Sequence, residues 1–282
     1  MFRLTATLCL ALLLLPGALC AEGKGGLPSA PVGMRTADEA RGWQAVGKLV
    51  LGSRGFCTGV LIEPQLVLTA AHCLFDRDTG LRLRDQSITF QAGWRNGRAE
   101  AYRGIRRSVA LPDYIYSVAE EIERVGFDVA LLELDQPILL PQLTPFATGA
   151  RPRPGDAVSV VSYAQDRAEV PSIERDCQVM VVDTAALVLT CDIDFGSSGA
   201  PVFSWREDGS AEVVSVISAK ADYSGQKVAL AVPVEEALSD LRLELARAAE
   251  ARPNSGEGVR ILLGGAAGSS GGAGGGAKFV RP

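Results

Sequence analysis

Leu68-Thr69-Ala70-Ala71-His72-Cys73 carries the one histidine of a 282-residue chain, just after a short apolar run. A single histidine is most often a structural or surface residue. Two other segments change its weight. Asp128-Val129-Ala130-Leu131-Leu132-Glu133-Leu134 sets an acid at the head of a second apolar run. Gly196-Ser197-Ser198-Gly199-Ala200-Pro201-Val202 is a glycine-bounded turn that holds two serines. Both apolar runs have strand length, and the turn residues around them favour short strands over helices.

Working outward, short β-like runs recur along the chain between turn residues. In the first half they cover about 44–51, 56–62, 66–69, 87–93, 101–110 and 128–134. The segment 137–155 holds five prolines and reads as a linker. Runs at about 156–163, 176–182, 186–191, 201–205, 212–220 and 227–232 follow. Six strands on each side of a proline-rich linker predict an all-β fold of two packed six-stranded antiparallel β-barrels, about 43–136 and 156–232. A helix is expected over 233–252. Val234, Leu238, Leu241 and Leu245 recur at helical spacing, Pro233 suits a helix start, and Glu235 and Glu236 suit the positive end of the dipole.

The ends read differently. Residues 1–20 have the pattern of an export signal: Arg3, an apolar run from Leu8 to Leu15, then Ala18-Leu19-Cys20. The apolar run is far shorter than the ~20 residues a spanning helix needs. A lipid-anchored Cys20 fits less well, because bulky Leu19 precedes it. Residues 21–42 are rich in Gly, Pro and Ala and read as a leader or flexible arm. Residues 253–282, almost wholly Gly, Ala and Ser over 264–276, read as a disordered tail. The folded domain is then 43–252, secreted or periplasmic.

Beyond the signal, Cys57, Cys73, Cys177 and Cys191 remain, an even number that suggests disulfides in an exported chain. Three pairings are open. Cys57–Cys73 and Cys177–Cys191 keep each bridge local and within one half. Zinc is disfavoured, since no C-x2-C spacing occurs and the only histidine is needed elsewhere. No cofactor is expected. The net charge of −5 gives no electrostatic case for nucleic acid.

The three chemical segments carry what acyl transfer requires. A serine hydroxyl is a poor nucleophile until a base takes its proton. Histidine is suited to that task near neutral pH. A buried carboxylate fixes the imidazole tautomer and stabilises the imidazolium. Glycines let backbone N–H groups converge on a developing oxyanion.

On these residues the chain resembles the chymotrypsin/trypsin-like serine peptidases, especially their bacterial secreted members. Thr69-Ala70-Ala71-His72-Cys73 is similar to the family's histidine motif, and Asp128-Val129-Ala130-Leu131-Leu132 to its aspartate motif. Gly196-Ser197-Ser198-Gly199-Ala200-Pro201 is similar to its Gly-Asp-Ser-Gly-Gly-Pro motif. Their order matches, Cys57 precedes His72 as in the family, and the resemblance covers about 43–250. It implies a serine endopeptidase acting on proteins or peptides, with Ser198 as nucleophile, His72 as base and Asp128 as its partner. The N–H groups of Gly196 and Ser198 would form the oxyanion hole. Ser218 stands where a family serine supports the aspartate. A binding protein that keeps the scaffold is the alternative, disfavoured because all three residues are present.

The departures matter too. Animal members carry an aspartate before the nucleophile, which binds a newly freed N-terminal amine. Here that position is Ser197, and the Ile-Val-Gly-Gly start is missing. Activity is therefore expected not to need a specific new terminus. In the specificity pocket, Asp192 resembles the acid that selects Lys or Arg. Asp194 is a rival for that role, and Lys220 on the facing wall could neutralise either. Glutamyl-specific relatives use an additional pocket histidine, which this chain lacks.

Overall fold

A computed structural model describes residues 30–53, 55–117, 125–183 and 186–251. The signal expected at 1–20 and the tail at 253–282 lie outside the described residues. The strands are β1 (Val32–Gly33), β2 (Val46–Leu51), β3 (Phe56–Glu63), β4 (Leu66–Thr69), β5 (Ile88–Ala92), β6 (Ala101–Ala110) and β7 (Ala130–Leu134). They continue with β8 (Ala147–Thr148), β9 (Ala157–Ser162), β10 (Ser172–Val182), β11 (Leu187–Leu189), β12 (Pro201–Trp205), β13 (Ala211–Tyr223) and β14 (Gln226–Pro233).

β2-β3-β4-β7-β6-β5 close into one antiparallel barrel. β9-β10-β11-β14-β13-β12 close into a second, because β9 pairs with both β10 and β12. This is the expected pair of six-stranded barrels.

Period-two alternation explains how the barrels pack. Leu61, Val67 and Leu132 point into the first barrel. Their neighbours Val60, Leu68 and Leu131 face outward and are equally buried, in a cluster shared with Val161, Phe203, Val216 and Val232 of the second barrel. Strands apolar on both faces therefore mark the seam between the barrels. Trp43 seals one part of it, edge-on to Phe203 and Trp205. The helix Val234–Glu250 packs on β6, β7 and β13, so it spans both barrels. Val234, Ala237 and Leu241 are buried, with Leu238 and Leu245 beside them.

Some boundaries differ from the expected ones. The arm at 21–42 is built into the domain from residue 30 onward. β1 pairs with β10, the Met34 N–H donates to the Pro171 carbonyl at 2.8 Å, and Met34 is only 3% exposed. A two-residue strand has no period to read, so one buried methionine was the only signal. β10 begins at Ser172, not 176. A bulge between Glu174 and Cys177, with Asp176 at φ 62°, breaks its alternation. The proline-rich linker holds β8, which pairs in parallel with β13. Among the described residues, no helix is long and apolar enough to cross a membrane.

Candidate active site

β4 runs along the seam and ends in a short 3-10 turn, Ala71–Leu74, that carries His72. The Cys57–Cys73 bridge ties this turn to β3, and Cys177–Cys191 closes the second local loop as expected. β7 pairs antiparallel with β4, Thr69 opposite Ala130. That register sets Asp128, two residues before Ala130, beside His72. Asp128 Oδ1 accepts the His72 backbone N–H at 2.8 Å, and Oδ2 lies 2.7 Å from Nδ1. From the second barrel, Ser218 Oγ donates to Oδ2 at 2.5 Å.

Asp128 is only 5% exposed, so its charge acts with little solvent screening. Burial opposes protonation of His72. The charge of Asp128 and the hydrogen bond to it outweigh that, so the imidazole pKa is raised. Burial alone would raise the carboxyl. The charge of His72 and the bonds from His72 and Ser218 hold Asp128 below the ordinary range.

The serine turn meets this pair across the seam. Thr58 N–H on β3 donates to the Ser198 carbonyl, and Gly199 N–H to the Ile217 carbonyl, both at 2.8 Å. Gly199 has φ 78°, and a side chain there would overlap Thr69 Oγ1 and lie 2.9 Å from the Ala70 nitrogen, two residues from His72. Only glycine permits that approach. Gly196, at φ 97°, is equally constrained, since a Cβ would fall 2.5 Å from the Phe56 ring. The Phe195 carbonyl accepts from Gln165 N–H at 2.7 Å, which turns the Gly196 N–H the opposite way. Neither Gly196 N–H nor Ser198 N–H donates to another described residue. Among the described residues, no hydrogen bond joins Ser198 Oγ to His72, whose Nδ1 is held by Asp128.

The residues considered for specificity are less tightly organised. Asp192 is exposed, and its backbone N–H donates to buried Glu174 at 2.8 Å. Lys220 pairs with Asp194, not Asp192, at 3.4 Å, and both side chains are 45% exposed. The Phe195 backbone N–H and then Lys220 hold the Asp194 carboxyl below its usual value. Among the described residues, two clusters contain potential metal-ligating atoms: Cys57 with His72 and Cys73, and Glu174 with Cys177 and Cys191. Their sulfurs are joined in disulfides and offer no thiolate. Thr58 and Gln165 hold the turn but passed unnoticed in the sequence. The position of Thr58 next to a half-cystine was the only available pointer.

A family described as the trypsin-like peptidase domain matches residues 57–214, more than half of the chain. The sequence is 24% identical to the glutamyl endopeptidase of Bacillus licheniformis over 155 residues, 55% of this chain and 47% of that protein. The chain thus spans about half the length of the curated relative it matches. A solved structure of a Glu endopeptidase in complex with MPD superposes with a TM-score of 0.62 at 18% identity, covering 78% of this chain and 100% of that one. That likeness concerns the fold and agrees with the two closed barrels. The family match over more than half of the chain leads to one conclusion: this chain belongs to the trypsin-like peptidase domain family.

Proposed function

We propose that the protein is a serine endopeptidase in which Ser198 is the nucleophile, His72 the general base and Asp128 its partner. The observation that carries this reading is the doubly bonded His72–Asp128 pair beside the glycine-bounded serine turn. His72 is the only histidine, so no other imidazole can serve as base.

Ser198 Oγ attacks the scissile carbonyl carbon as His72 Nε2 takes its proton. The carbonyl π electrons move to oxygen, and the Gly196 and Ser198 N–H groups receive the oxyanion. Asp128 stabilises the imidazolium and keeps Nδ1 protonated. Collapse breaks the C–N bond, and the leaving amine takes the proton from His72. Water then attacks the acyl-enzyme ester while His72 accepts its proton. The second collapse releases the carboxylic acid and returns a proton to Ser198.

Proteins or peptides are the substrates this reading requires. Export is supported by the two disulfides, which persist in oxidising compartments, and by the signal-like pattern of residues 1–20. Ser198→Ala should abolish peptide turnover without loss of fold, whereas Ser197→Ala should keep most activity. Inactivation by the second change and not the first would assign the wrong serine.

A further inference from the structure

We propose that Thr58 is a positioning residue for the oxyanion hole, its hydroxyl fixing the Gly196 carbonyl so that the neighbouring N–H groups face the reacting centre. This rests on the catalytic reading of Ser198 given above.

Ser197 occupies the place of an ionic anchor and carries no charge. Gly196, with its positive φ, has the backbone freedom to let the adjoining peptides rotate. Something uncharged must then hold the turn. Thr58 Oγ1 donates to the Gly196 carbonyl at 2.8 Å and accepts the Tyr163 N–H at 3.0 Å. A hydroxyl has one proton to give. Its other acceptor, the Tyr163 carbonyl, stands at 3.5 Å, so the proton belongs to Gly196.

The Thr58 backbone is itself fixed at both ends. Its N–H donates to the Ser198 carbonyl, and its carbonyl accepts Thr69 Oγ1, each at 2.8 Å. The carbonyls of residues 196 and 198 therefore both end on one residue of the first barrel. Thr58 is wholly buried, so water does not compete for these bonds.

Ser197 itself is the rival for this role, and distance decides between the two. Its hydroxyl lies 3.3 Å from Ser162 Oγ, 3.5 Å from the Tyr163 carbonyl and 3.4 Å from the Asp194 nitrogen. These bonds are at the weak end of the range, whereas both Thr58 bonds are near ideal.

The test compares Thr58→Val with Thr58→Ser in the full chain, using a peptide p-nitroanilide that the wild-type protein cleaves. Valine keeps the shape and removes the hydroxyl, so kcat should fall about 10–100-fold with KM within about twofold, a fraction of the loss from deleting an oxyanion donor. The matching peptide aldehyde, whose adduct places an oxyanion in the hole, should lose affinity in parallel. Serine restores the donor and should return kcat to within about threefold of wild type. A purely structural role would lower the melting temperature and leave kcat unchanged well below it. If the valine form does not fold, the phosphonylated wild-type protein decides by crystallography: the Gly196 carbonyl must remain on Thr58 Oγ1. A folded valine form with undiminished kcat, a serine form as impaired as valine, or a Gly196 carbonyl turned away in the adduct overturns the inference. Wild-type protein that takes no fluorophosphonate on Ser198 overturns the catalytic reading, and this inference with it.

Discussion

The carboxylate of Asp128 grips His72 at two points, the backbone N–H through Oδ1 and Nδ1 through Oδ2. One bond fixes where the histidine sits and the other fixes its tautomer. The raised pKa of His72 predicts how activity depends on pH. The proposed base works only when deprotonated, so kcat/KM should rise through one ionisation centred above the unperturbed value of about 6.5. The stability linkage has the opposite sense. Protonated His72 adds stability that is full below about 6.5 and is lost as pH climbs through the raised value. Asp128→Asn should lower the midpoint and cut kcat by about 10⁴-fold. The imidazole signal of the only histidine gives the midpoint by NMR, and a value below 6.5 in the wild-type protein contradicts this account.

The N-terminal arm is a packing element, so trimming it should act on stability in steps set by burial. Forms that begin at residue 30 keep β1 and Met34, while forms that begin at residue 36 lose both. Truncating a buried methionine to alanine costs about 2–5 kcal/mol, which corresponds to a melting-point loss on the order of 10 °C in a domain of this size. Met34→Ala alone should show much of that loss. Because Ser197 offers no carboxylate to a freed amine, shifting the terminus by one residue upstream of 30 should leave turnover unchanged. Calorimetry and turnover on a truncation ladder check both points, and activity confined to a single terminus contradicts them.

We propose that the Asp194–Lys220 pair bears on specificity. Both groups are half exposed, so the pair contributes little to stability. Its effect is to cancel an acid near the proposed site. Lys220→Met should unmask Asp194 and raise the preference for Lys or Arg before the scissile bond, by several-fold for a partly solvated pair. A peptide-library cleavage profile compares the two proteins. A profile unchanged by the substitution contradicts the pairing as a specificity device.

The barrels were legible in the sequence because strands such as Phe56–Glu63 and Ala130–Leu134 are dense in β-branched and aliphatic residues between clear turns. The His72–Asp128 pair and Ser218 were legible only through their resemblance to the motifs of trypsin-like peptidases, because the strands that carry them meet only in the folded chain. Other features follow from tertiary contacts that leave no local pattern. β1 is two residues long, pairs with β10 far along the chain, and is followed by a single buried side chain, Met34. The start of β10 is hidden by the bulge at Asp176. Thr58 looks like an ordinary strand threonine until Gly196, 138 residues away, is folded onto it.

The central claim is that Ser198, activated by His72, is the attacking group. It is tested most directly by reacting the protein with a fluorophosphonate and mapping the adduct by peptide mass spectrometry. The account predicts one adduct, on Ser198, formed quickly at neutral pH, slowed as His72 is protonated and absent in His72→Ala. Folded wild-type protein that takes no adduct, or takes it on Ser197, would contradict the account and leave a peptidase scaffold used for binding or a different nucleophile.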